Sequence, residues 1–322
     1  MMFVNEKLQE FERYIRNKRV AIMGATQENI PIIDYFVNIG ASVTVFDEKK
    51  MEEIDKAITD KISAHTLNFS FGEYNLINLI NFDFILRNPL HRHDCSELKA
   101  ESVRGAIIMT ELELFMELFP GKVIGVTGNT GAETTSKLIL DILKEKNVDC
   151  YYIEDNCNPY FDKLKEYKQE SVAVIKFPEV NLLGIQTSPE IAVLTNTSDK
   201  QLEIYNSYEE YIDCEKNLFI NQGKDSKLVL NYDDKKSKYF STEANGKVRF
   251  FSTETRLDDG VIFDDNVIKS CEEGVRMHIM TIDDAISIHG DDNYKWICAA
   301  VAATEDIADP YSQARAIIKF KE

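Results

Sequence analysis

The residues best placed to do chemistry lie at 123–135, Val-Ile-Gly-Val-Thr-Gly-Asn-Thr-Gly-Ala-Glu-Thr-Thr. An apolar run meets two glycines, Gly128 and Gly131, and then a helix-forming segment. Strand, glycine turn and helix form the frame of a phosphate-binding loop, in which backbone N–H groups and the positive end of a helix face an anion. The chemistry is incomplete. Where a lysine would reach the β- and γ-phosphates stands Ala132, and where a hydroxyl would hold magnesium stands Glu133. A carboxylate at a helix N-terminus suits the helix dipole but repels an incoming phosphate. Gly128, Gly131 and Thr134 remain candidates for nucleotide contact.

The elements that must position this loop can be read around it. A strand is expected over 122–126 and a helix from 133 or 134 to 146. Further strands are expected at 149–153, 171–177, 191–196 and 228–230; those at 171–177 and 191–196 are apolar runs of the buried parallel kind. In a parallel-sheet ATPase the ends of such strands carry acids for the metal. Here they carry Lys176 and the run Asn196-Thr197-Ser198-Asp199-Lys200-Gln201. Two lysines are electrostatically wrong beside a divalent cation. Lys176 or Lys200 either reaches in to replace the missing loop lysine or closes an ion pair with Glu133. A polar turn at 154–159 holds Asn156, and a helix at 208–218 turns Tyr211, Ile212 and Leu218 inward. Short β segments at 248–252, 260–263, 267–270 and 274–279 suggest a small antiparallel patch. Helices at 294–304 and 311–319 close the chain.

Upstream, 8–15 is a short amphipathic segment. Strand 19–24, helix 30–39 with Pro31 near its start, and strand 41–46 ending at Asp47 make a Rossmann-like β-α-β unit. Its glycine signature is reduced to Gly24, so a dinucleotide is not the first expectation. Asp47 either binds a ribose or sugar hydroxyl or caps the strand end. Strand 82–86 leads into Arg87-Asn88-Pro89-Leu90-His91-Arg92-His93-Asp94, the one local cluster of histidine and arginine. His91 and His93 lack a third ligand, so no metal site is expected. Arg87 or Arg92 could meet a phosphate; the alternative is a solvated loop. A strand at 103–109 and a helix at 110–119 precede Pro120-Gly121. The domain boundary falls there, giving a Rossmann-like domain at 1–119, which the family resemblance given below makes a UDP-sugar-binding-type domain, and a P-loop-type, mostly parallel α/β domain at 120–322.

Composition narrows the function. Of 322 residues, 55 are acidic and 37 basic, a formal charge of -18. That surface argues against nucleic acid and anionic membranes as partners. The 44% hydrophobic content supports real cores. Six scattered cysteines without a CxxC pair, a charged N-terminus and no span-length apolar stretch fit a reducing, cytoplasmic setting.

In order along the chain, these motifs resemble the Mur ligases, and within them the D-glutamate-adding branch. RNKRVAIMGATQENIPIIDYF with GASVTVFD is similar to the start of the family's UDP-binding domain. Asn88-Pro89, the TELELF helix, VIGVTGNTGAETT in place of the ATP loop, the segment 189–219 and Gly290–Ala300 follow at near-family spacing. The resemblance implies ATP-dependent amide-bond formation, in which a carboxylate of a UDP-sugar becomes an acyl phosphate that an amino acid attacks. It also implies departures at nearly every working position. Ala132 stands for the loop lysine, Glu133 for the threonine after it, and Lys176 for a magnesium-binding glutamate. Lys200 and Gln201 stand for an Asp-His pair. Glu215 stands for the lysine that the family carbamylates, keeping a pair of negative oxygens in shorter form. Asp292 replaces the histidine beside Asn293, which is kept, and Trp296 replaces an asparagine of the nucleotide site. Asn156 is kept while Glu154, Asp155 and Asn158 replace glycines around it. The family's third domain, which binds the amino acid, is expected to be absent after the linker-like residues 314–320. The expectation is therefore a catalytically inactive, Mur-ligase-like binding, regulatory or scaffold protein of cell-wall metabolism. Asp47, Arg87 and Asn88 are the candidates for a UDP-linked sugar, and a cell-wall synthesis protein is the candidate partner. The alternative is a divergent ligase using ATP and magnesium, its third domain supplied by a partner chain.

Overall fold

The computed structural model describes residues 4–63, 67–73, 75–154, 160–198, 203–282 and 291–321. The chain forms two compact units. The first takes residues 1–120 with 156–168 and 183–185; the second takes the remainder.

The first unit is built on a five-stranded, wholly parallel sheet. Its strands are β1 (Arg19–Met23), β2 (Ser42–Asp47), β3 (Asn68–Phe71), β4 (Phe84–Leu86) and β5 (Ile107–Met109), in the order β3-β2-β1-β4-β5. Helices α1 (Glu6–Ile15), α2 (Ile30–Ile39), α3 (Lys56–Ser63), α4 (Ser96–Val103) and α5 (Glu111–Leu118) accompany it. The near-continuous apolar β1 and β4 are buried along almost their whole length, as central parallel strands require. α2 opens with Pro31 in its first turn and stops at Gly40, whose φ of 94° places it in the left-handed region that favours glycine. Thr110 caps α5 by accepting from the Glu113 amide.

Two expectations for this unit are corrected. Residues 96–103 are the helix α4 and only 107–109 a strand, where the sequence suggested strand from 103. SELKAESV has no clear apolar stripe; only Leu98 and Glu101 are buried. α3 and β3 were not foreseen, because polar residues dominate α3 and β3 is a four-residue strand at the sheet edge.

The second unit carries nine strands: β6 (Lys122–Thr127), β7 (Cys150–Glu154), β8 (Val172–Lys176), β9 (Ile191–Leu194), β10 (Lys227–Asn231), β11 (Lys247–Ser252), β12 (Gly260–Asp264), β13 (Val267–Glu272) and β14 (Val275–Thr281). Their order is β14-β13-β12-β11-β10-β9-β6-β8-β7. The antiparallel patch is smaller than the sequence suggested. β11 pairs parallel with β10, and β12 parallel with β11; only β12-β13-β14 run antiparallel. The helix α8 (Lys235–Phe240), capped by Asp234, was also missed.

Helix α6 (Ala132–Glu145) packs its Leu138, Ile139, Ile142 and Leu143 into one core with α9 (Asp291–Thr304) and α10 (Pro310–Lys319). The run Ala299-Ala300-Val301-Ala302-Ala303 is fully buried; its small side chains let the helix lie close to its neighbours. Glu145 holds α10 from outside, 3.0 Å from Arg315 Nε and 2.7 Å from Lys319 Nζ. No helix among the described residues is long and apolar enough to cross a membrane.

Gly125, in the middle of β6, is required by close packing. A Cβ there would stand 2.7 Å from Pro189 Cγ and 2.8 Å from Phe177 Cε2. Gly125→Ala should therefore destabilise the protein by roughly 1–3 kcal/mol through overpacking, read as a lower denaturation midpoint at unchanged slope. An unchanged midpoint would contradict this packing.

Candidate functional site

The loop between β6 and α6 has the backbone expected of it. Gly128 and Gly131 take φ of 140° and 76°, and Gly131 is the N-cap of α6. Both glycines are needed sterically as well: a Cβ on Gly128 would run into Thr195 Oγ1, and one on Gly131 into the Trp296 indole. The end of β9 ties the loop down. Thr195 Oγ1 donates to Thr127 O at 3.2 Å and Thr130 O at 2.7 Å, and Asn196 Oδ1 accepts from the Thr130 amide at 3.1 Å. Thr195 and Asn196 were not anticipated as loop anchors. The one signal was their place directly after an apolar strand.

The side chains at the loop do not suit a magnesium-bound triphosphate. Ala132 is buried and offers no charge. Glu133 is exposed in the first turn of α6 and is held by two lysines. Lys137 Nζ, one turn on, is 2.5 Å from its Oε1, and Lys176 Nζ at the end of β8 is 3.8 Å from its Oε2. Lys137, more than Lys176, holds the Glu133 carboxyl below the usual carboxylate range. Lys176 is one of the two partners expected from sequence; Lys137 is a further one, at the i,i+4 spacing of an ordinary helix pair. Trp296 of α9 is 6% exposed and lies against Gly131. The loop thus presents a carboxylate, two lysines paired with it and an indole. Thr134 lies in the first turn of α6 beside them, and Thr135 Oγ1 is buried with no hydrogen-bond partner. Asn293 is half-buried in α9. Lys200, Gln201 and Asn156 lie outside the described residues, as do the Glu154 and Asp292 side chains.

In the first unit, Asp47 caps the turn after β2. Its Oδ2 accepts from the Ala25 amide at 2.8 Å and its Oδ1 from the Lys49 amide at 2.9 Å. Asn88 Oδ1 accepts from the Leu90 amide at 2.9 Å, and Asn29 Nδ2 donates to Gly24 O at 2.8 Å. A Cβ on Gly24 would meet the Asn29 and Asn88 amides at 3.0 and 3.4 Å, so Gly24 and Asn88 share one loop cluster at the strand ends. Arg87 and Arg92, the candidates for a phosphate, are both engaged within the chain. Arg87 is 3% exposed, and its guanidinium donates to the carbonyls of Asn88, Pro89, His91 and Leu183. These bonds fold the 88–91 loop around the guanidinium and tie it to Leu183. Arg92 is held bidentately by Asp94, at 2.8 and 3.0 Å. His91 Nε2 is 3.4 Å from Glu48, and His93 lies against Gly184. Among the described residues no three His, Cys, Asp or Glu side chains come together as a metal site.

Glu215 also departs from expectation. It sits on α7 (Tyr208–Lys216), 1% exposed, with Oε2 lacking a hydrogen-bond partner. Burial, and then the neighbouring Glu179, push its pKa up to about 8. Burial raises Glu179 as well. At neutral pH Glu215 therefore carries a proton, not the standing negative charge expected of it. Its neighbour Tyr211 accepts the Ser198 amide at 3.0 Å, and Tyr208 donates to Ser198 O at 2.8 Å, so the same helix pins the chain leaving β9. The sign of the pH effect follows. Below the ordinary value of 4.5 both folded and unfolded chains hold the proton. From there to about 8 only the folded chain does, so stability falls as pH rises. Glu215→Gln should stabilise the protein at pH 8 by roughly 1–3 kcal/mol and change little at pH 4.5. Thermal melts at both pH values check this; equal effects at the two would contradict the buried, neutral acid.

A family model, the Mur ligase middle domain, matches residues 126–304. The UDP-N-acetylmuramoylalanine--D-glutamate ligase of Ruminiclostridium cellulolyticum is 35% identical over 317 residues, covering 98% of this chain and 68% of that protein. The one of Acetivibrio thermocellus is 34% identical, covering 95% and 65%. The chain thus spans about two thirds of the length of these relatives. Among solved structures, the Neisseria UDP-N-acetylmuramate:L-alanyl-gamma-D-glutamyl-meso-diaminopimelate ligase superposes with a TM-score of 0.59 at 14% identity, covering 95% of this chain and 98% of that one. MurF from Acinetobacter baumannii superposes at 0.54 and 12% identity, covering 99% and 68%. At such identities the structural likeness speaks to the fold, which is mixed α/β with two largely parallel sheets. Sequence match and fold agree: this chain belongs to the Mur ligase family.

Proposed function

We propose that this protein is a Mur ligase family member that no longer carries out ATP-driven ligation and serves cell-wall metabolism as a binding, regulatory or scaffold protein. The observation that carries this reading is Glu133. A carboxylate held between Lys137 and Lys176 occupies the helix N-terminus where a triphosphate would need cations and open amides. Trp296 against Gly131 adds a steric objection on the same loop. Its ligand is a UDP-linked sugar, received at the strand-end loops of Gly24, Asp47 and Asn88, and its setting is the cytoplasm. The relatives' names, which specify a UDP-N-acetylmuramoyl substrate, support that ligand class.

One observation favours the alternative of an active ligase with a divergent site: the loop backbone keeps its two left-handed glycines and its helix start. Turnover separates the readings. With UDP-N-acetylmuramoyl-L-alanine, D-glutamate, ATP and magnesium, the protein should release phosphate at the rate of a blank. Phosphate release that depends on the protein and on D-glutamate would overturn the proposal. The triple variant Ala132→Lys/Glu133→Thr/Lys176→Glu should gain ATP affinity over the natural chain by at least about tenfold, the equivalent of one charge-assisted contact.

A further inference from the structure

The first unit has a second concave site, away from the loops of Asp47 and Asn88. α2 separates the two places. Asn29 at its start bonds Gly24, while Ile39 lies in its last turn. Ten residues at the helical rise set these ends about 14 Å apart. Beside that last turn is a cavity of about 300 Å³ between α1, α2 and the segment around residue 164. Its apolar lining is Leu8, Ile39, Phe161 and Leu164.

The polar groups around it are unevenly matched. Tyr35 Oη is sealed from solvent and has no hydrogen-bond partner. Glu12 Oε1 is equally sealed; Lys165 Nζ stands 3.2 Å away without hydrogen-bond geometry. The Arg16 guanidinium makes no ion pair among the described residues. Orphaned buried polar atoms are rare because they are costly, and here the Tyr35 hydroxyl is one, on a side chain that lines the cavity. Arg16, Lys165 and Tyr35 donate, Glu12 accepts, and the Asn38 amide does both. Donors outnumber acceptors, so the lining favours an acceptor. With two cations and one carboxylate present, it matches one negative charge better than two. The aliphatic and aromatic lining calls for an apolar body.

We propose that this cavity binds a small monocarboxylate with an apolar body. Its carboxylate takes hydrogen bonds from Arg16, Lys165 and the Tyr35 hydroxyl, and its hydrocarbon part lies on Leu8, Ile39, Phe161 and Leu164. Glu12 keeps Lys165 in place and repels dianions. The site does not depend on the fate of the nucleotide loop, so it stands or falls separately from the function proposed above.

Titration calorimetry of the intact protein with hexanoate tests this, with hexanamide, hexylamine and adipate as controls. Hexanoate should bind saturably, and each control at least about tenfold more weakly: hexanamide and hexylamine lose or reverse the charge-assisted contact, and adipate brings a second carboxylate onto the apolar lining beside Glu12. Arg16→Gln should weaken hexanoate by about tenfold or more and Tyr35→Phe by about fivefold, in variants whose circular dichroism matches the parent. Phenylacetate checks that the lining accepts a ring. The absence of saturable hexanoate binding, equal binding of hexanamide, or indifference to Arg16→Gln would each overturn the assignment.

Discussion

A single carboxylate at the start of α6 sets the character of the second unit. The N-terminus of a helix favours negative charge whatever its source. A nucleotide loop leaves that charge to a phosphate; here Glu133 supplies it from within the chain. Once it does, the cations around it become partners of Glu133. Lys137 reaches it along the helix and Lys176 reaches it from β8. Both ion pairs are substantially exposed, so their worth to stability is small.

The rest of the unit holds this arrangement in place. α6 is fixed by the core it shares with α9 and α10, and the loop before it by Thr195 and Asn196 at the end of β9. Trp296, carried on the alanine-rich α9, lies against Gly131 because neighbouring small residues let that helix approach. In the first unit Arg87, the cation best placed by sequence to meet an anion, is turned inward onto four carbonyls.

Much of the architecture was legible in the sequence, because buried parallel strands are short apolar runs and glycines mark their turns. β1, β2, β6, β8 and β9, with α2, α6, α9 and α10, fall close to where those patterns place them. Elements with mixed polarity were not legible. α4 shows no stripe, and the parallel pairing of β11 is not readable because strand direction leaves no trace in its own residues. At the candidate site, the residue types at 132, 133 and 176 announced the charge inversion. Lys137 was readable from its spacing and was passed over. The protonation of Glu215 was not readable, since it arises from burial beside Glu179, which tertiary packing creates. The burial of Arg87 was hidden for the same reason: Leu183 O, one of its acceptors, is 96 residues away in sequence.

The most direct measurement uses the one tryptophan of the chain, Trp296, as a reporter at the loop. Its fluorescence would be followed while magnesium-ATP is titrated, with equilibrium dialysis of labelled ATP in parallel. The account predicts no saturable change and no retained nucleotide up to millimolar concentration. A saturable change in Trp296 emission matched by stoichiometric ATP retention would contradict it, because Glu133 and the indole would then have to leave the positions they hold.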